Sequence, residues 1–152
     1  MTMTGIFGAP VENLAILLAN CANFQTWCGA EDATEALTYI HRILDPEDAD
    51  QTKRALITYI EGAWSASRQA MSSDPGSYDR TASLTLVFEQ QSTAPQTDIE
   101  AFVSNVGTFI DDMMELNGTS SYMIISGFDL GAFTYDNETE HLLVDFTISW
   151  EI

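Results

Sequence analysis

Four side chains of this protein have the types that ligate a metal or attack an electrophile: Cys21, Cys28, His41 and His141. Gathered in space, two thiolates and two imidazoles would make a tetrahedral zinc site. The six residues between the cysteines do not give the short spacing of a zinc knuckle, and Cys21 falls near the end of an apolar stretch, where a free thiol acts as a small core residue. A Cys–His nucleophilic pair would need spatial adjacency, and no supporting motif accompanies it. Asp45, Glu47, Asp48 and Asp50 have the carboxylate density of a calcium loop but lack the central glycine and terminal glutamate of an EF-hand, so they read as a solvated acidic turn. Asp111, Asp112 and Glu115 fall on the polar side of a helix and read as its solvent face. Paired carboxylates for glycoside cleavage would need a cleft. No phosphate-cradling glycine loop and no nucleophile elbow is present. No catalytic residue, metal ligand or cofactor is expected, and the chain does not read as an enzyme.

A different kind of chemistry is available to Trp64, Arg68, Tyr78 and Arg80. They sit in a long connection rich in Ser, Gly and Asp, outside any periodic pattern. Either they fold back onto the domain or they anchor an interface, the role for which Trp, Tyr and Arg are the preferred side chains. Connections of this length are commonly functional. Arg68 and Arg80 are two of only five basic residues, so an acidic neighbouring copy has something to dock against.

Charge sharpens that contrast. All five bases (Arg42, Lys53, Arg54, Arg68 and Arg80) lie in the middle of the chain, and residues 81–152 carry twelve acids and no base. The formal charge is -18 on 152 residues that are 45% hydrophobic, so the chain can fold and the charge is not a mark of disorder. Such a field repels nucleic-acid backbones and anionic membrane surfaces. The length suits one domain over residues 1–152. Two cysteines are not a disulfide scaffold, and the first twenty residues lack the basic start of a secretory signal, so the protein looks intracellular when made. The sequons at Asn117 and Asn137 then read as turn chemistry.

The elements that would position these residues follow from periodicity. Pro10 suits the first position of a helix running to about Asn23, with Glu12 in its first turn and Val11, Leu14, Ala15, Leu17 and Leu18 on an apolar stripe. Phe24 and Trp27 follow in a short connection closed by Gly29. Asp32-Ala33-Thr34-Glu35 has capping-box spacing and opens a second helix with Ala36, Leu37 and Ile40 inward, ended by Pro46. Strands are expected at 55–61 and 81–90, separated by the connection 62–80. Thr97-Asp98-Ile99-Glu100 has a second capping pattern, before a long helix with Ile99, Phe102, Val103, Val106, Phe109, Ile110 and Met113 at helical spacing and a stop at Asn117-Gly118. A strand at 122–130 follows. From Leu142 to Ile152 every even position is apolar, the signature of a half-buried antiparallel strand. The expected fold is α+β, in the order α-α-β-β-α-β-β: a four-stranded, mainly antiparallel sheet with helices packed on one face.

In order along the chain, several stretches resemble the tail-terminator and neck (head–tail joining) proteins of tailed bacteriophages. They are Phe24-Gln25-Thr26-Trp27, Ala33-Thr34-Glu35-Ala36-Leu37 leading to Ile40-His41, Ser83 to Glu89 after Gly76-Ser77-Tyr78, and the closing Phe146-Thr147-Ile148-Ser149-Trp150. The resemblance covers most of the chain from about Pro10. It implies a small non-enzymatic α/β domain that assembles as a hexameric ring in the virion, after assembly in the host cytoplasm. That ring would cap the tail tube protein, join it to a head connector or adaptor protein, and let genome DNA pass through an acidic channel without sequence-specific binding. No membrane partner and no catalytic residue comes with the family. An acidic DNA mimic or inhibitor that binds a basic partner is the rival reading, and oligomeric state separates the two.

Overall fold

The computed structural model describes residues 3–42, 51–59, 65–68, 78–118 and 124–151. The segment Asp45–Asp50 and Trp64 lie outside the described residues. Among the described residues there are four α-helices and six strands: α1 Gly5–Ala19, α2 Ala22–Cys28, α3 Ala33–Ala36, β1 Ile40–Arg42, β2 Lys53–Tyr59, β3 Ser65–Arg68, β4 Tyr78–Gln91, α4 Pro95–Leu116, β5 Ile124–Asp136 and β6 His141–Glu151. The strands form one sheet in the order β1-β2-β4-β6-β5, with β3 also paired to β4. The fold is α+β as expected, but the sheet is mixed and has six strands rather than four. The four expected strands are its antiparallel body β2-β4-β6-β5, and β1 adds a parallel pair to β2.

The core is where the alternation of β6 put it. Leu142, Val144, Phe146, Ile148 and Trp150 are all buried, and Val106, Phe109, Ile110 and Met113 of α4 are buried with them. The ladder sets Leu84, Leu86 and Phe88 of β4 opposite Ile148, Phe146 and Val144, and Ala55 and Ile57 of β2 continue the same rows. The described helices pack against this face. The other face carries Ser83, Thr85, Thr147, Ser149 and the exposed Asp145. Phe24, Trp27, Phe88 and Phe109 form a ring cluster with centroids 5.2–6.4 Å apart, within the range of favourable aromatic pairs.

Several local expectations change. Helix α1 starts at Gly5, so Pro10 is interior to it and removes one backbone bond. Burial of Val11, Leu14, Ala15 and Leu18 in the turns after the proline outweighs that loss. Glu12 is not a solvated first-turn acid: it is 6% exposed, accepts from Met3 N at 3.1 Å and lies 3.2 Å from Arg42 Nε, an ion pair tying α1 to β1. Phe24 and Trp27 belong to a helix, α2, which Gly29 ends in the left-handed conformation that glycine adopts without strain. The second expected helix lasts one turn. Asp32 caps it, accepting from Glu35 N at 2.8 Å, and after a 3-10 turn at Leu37–Tyr39 the chain becomes β1. Thr38, Tyr39 and Ile40 are strand-favouring types, and Ile40 is buried in either conformation, so periodicity alone could not decide. Thr97 does not cap α4. Pro95 opens that helix, and Ser92 Oγ donates to Asp98 in its first turn at 2.6 Å.

Strand β5 runs past Leu130 because Gly131 makes a bulge and not a turn. Gly131 and Ala132 together oppose Asp145, whose carboxylate accepts from Ala132 N at 3.1 Å. A Cβ on residue 131 would meet the Asp145 carboxylate, so a side chain there would have to turn that exposed carboxylate aside. The start of β5 is pinned by Asn117, whose side chain donates to Ile125 O and accepts from Ile125 N, each at 3.0 Å.

Candidate assembly surface

The residues with reactive side chains are dispersed. Cys21 is buried at the foot of α2, its Sγ donating to Leu17 O at 3.3 Å; burial, with Asp112 nearby, pushes the thiol up to about 12. Burial also raises Cys28, whose Sγ donates to Phe24 O at 3.0 Å. A thiol held protonated is neither a good nucleophile nor a ready metal ligand. His41 on β1 pairs with Gln51 Oε1 at 2.6 Å, whereas His141 begins β6, three strands away and four residues further along the ladder. Among the described residues no three His, Cys, Asp or Glu side chains gather closely enough to hold a metal ion. Asp112 accepts from Asn23 N at 3.2 Å and Nδ2 at 2.8 Å, tying α4 to α2, while Asp111 and Glu115 are exposed.

The basic residues divide more sharply than the sequence indicated. Arg42 has Glu12, Arg54 has Glu89 at 2.7 Å, and Lys53 Nζ stands 5.8 Å from the Trp27 ring centre. Arg68 and Arg80 form no ion pair among the described residues. The connection that holds them is not irregular throughout: β3 pairs antiparallel with the first residues of β4, with Ala66 opposite Arg80 and Arg68 opposite Tyr78. Strand alternation therefore places positions 66, 68, 78 and 80 on one face of a two-stranded ribbon, continuing the parity of buried Ala82 and Leu84. Arg68 is exposed and Arg80 half-buried. Three of the four residues singled out for an interface thus share a face, and the fourth, Trp64, lies outside the described residues.

A second surface had no clear signal in the sequence. Strand β5 is the outer strand of the sheet, and between it and α4 runs an apolar groove of about 320 Å3 lined by Val103, Val106, Ile110, Leu130, Phe133 and Phe146, with Asp111 on its wall. A second hollow of about 260 Å3, floored by Ile99, Phe133 and Leu142, continues it past Phe133. Leu130 is 57% exposed and Val103 41%, although Val103 belongs to the helical stripe read as inward. The signal that could have found this groove was Leu130 itself, an apolar residue just before a glycine that ends no strand.

No family model matches the chain, and no curated protein does. Among solved structures it resembles a chain of the virion of a native gene transfer agent particle, with a TM-score of 0.51 at 9% identity, over 97% of this chain and 98% of that one. At that identity the two share a fold.

Proposed function

We propose that this protein is a structural component of a tailed-phage-like virion, a ring-forming tail terminator without enzymatic activity. Six copies would close into a ring that caps the tail tube and joins it to the head connector, with genome DNA passing through an acidic lumen. The observation that carries this reading is the shared fold with a virion chain along nearly the full length of both. The sequence resemblance to tail-terminator and neck proteins points the same way. The charge of -18 suits a channel that must let phosphates slide without sticking. No described helix is long and apolar enough to cross a membrane, and the reading needs no membrane. A ring uses head-to-tail contacts between unlike surfaces, and a ribbon carrying the two bases that form no ion pair among the described residues is suited to one side of such a contact.

The test is the double substitution Arg68→Glu and Arg80→Glu. Neither residue belongs to the core, so circular dichroism and melting should be unchanged while completed tails counted in electron micrographs fall at least tenfold. Normal tails from the folded double variant would reject the role of the ribbon. A strictly monomeric form that blocks a basic DNA-binding partner would favour the acidic-mimic reading instead.

A further inference from the structure

We propose that the groove between α4 and β5 receives the basic β3–β4 ribbon of a second copy of this chain. The inference rests on the ring reading and names the acceptor surface that reading leaves open. The groove has an apolar floor, two exposed apolar lips in Val103 and Leu130, and an outer strand whose far edge is unpaired among the described residues. Its helix wall carries the exposed carboxylate of Asp111, and α4 bears no base to offset it. A partner for such a wall must bring positive charge together with aliphatic surface. Within this chain three of the five bases already have partners, and Arg68 and Arg80 share one face with Ala66. Arginine stems cover apolar surface while their guanidinium groups reach carboxylates, the combination this groove can take.

Topology makes the contact intermolecular. Strand β4 pairs with β6 along one edge and with β2 and β3 along the other, so the ribbon and β5 lie on opposite sides of β4. A donor on one side and an acceptor on the other is a head-to-tail arrangement, which closes into a ring when the rotation between copies allows it. Gly107 marks where the ribbon would pass: it is exposed on α4 beside the groove, and a Cβ there meets nothing within 4 Å.

The experiment mixes two singly substituted proteins, Ala66→Cys and Gly107→Cys, during tail assembly and then oxidises them. Both sites are exposed, and circular dichroism checks the fold of each. The expected result is a disulfide-linked dimer that appears in the mixture and in neither protein alone, and a ladder up to six copies when one chain carries both cysteines. A charge swap gives an independent readout: Asp111→Arg or Arg68→Asp alone should weaken ring assembly at least tenfold, and together they should recover most of it. Rings that form without the cross-link and without rescue by the swap would overturn the proposed acceptor while leaving the ring reading intact. Absence of rings from the unsubstituted protein in assembled tails would overturn the ring reading itself.

Discussion

Two phenylalanines on the same core face should differ measurably when truncated to alanine. Phe109 is fully buried, and its ring lies 5.6 Å from Phe24, 5.2 Å from Trp27 and 5.3 Å from Phe88. Phe146 is 7% exposed, has one ring neighbour among the described residues, at 6.2 Å, and borders the α4–β5 groove. Buried Phe→Ala changes cost about 3–5 kcal/mol, the spread reflecting how far a site can collapse. Three aromatic partners, each contributing about 0.5–1.5 kcal/mol beyond area, put Phe109→Ala at the top of that range, about 5 kcal/mol. Phe146, with one partner and solvent room beside it, belongs near the bottom, about 3 kcal/mol. A gap of about 2 kcal/mol corresponds to roughly 4–8 °C in melting temperature for a chain of this length. Urea titration and thermal melting of the unassembled protein, followed by far-ultraviolet circular dichroism, would measure both. A cost for Phe146→Ala equal to or above that of Phe109→Ala would contradict the extra stabilisation ascribed to the ring contacts of Phe109.

Other outcomes follow from single contacts. Gly131→Ala should push the Asp145 carboxylate off Ala132 N–H and cost about 1 kcal/mol, a loss that should vanish in an Asp145→Ala background if the bulge explanation holds. Cys21, with a folded-state pKa raised from 9.0 to about 12, binds its proton more tightly when folded, so its contribution is complete below pH 9 and fades as pH rises towards 12; Cys21→Ala should remove that part of the alkaline loss. The same thiol should resist a maleimide at pH 8 until the protein unfolds. At -18 per copy, assembly should strengthen from low to moderate salt as repulsion is screened; steady weakening over that range would mean that the arginine contacts dominate it.

The legible parts of the fold were those where one pattern has one physical solution. The alternation through Leu142–Trp150 can only be a half-buried strand, and the 3.6-residue stripe from Phe102 to Met113 can only be an amphipathic helix. Where two conformations bury the same side chain, the sequence was silent: Ile40 serves a helix stripe or a strand equally, and its pairing with Ala55 depends on a strand distant in sequence. Pro10 misled for a related reason: it is a breaker by local rule, yet it lies inside α1, whose following turns are buried. Residue types marked Arg68, Tyr78 and Arg80 as interface candidates, but their common face required the β3 register. The acceptor groove needed the sheet order, because only an outer β5 leaves Leu130 uncovered.

Electron microscopy of tails assembled with and without this protein decides whether it forms the terminating ring. A ring terminator gives a closed six-fold ring at the head-proximal end of the tube, tubes of uniform length when the protein is present, and overlong tubes unable to join heads when it is withheld. Tubes of normal length that join heads in its absence, or a monomer bound at that position, would contradict it.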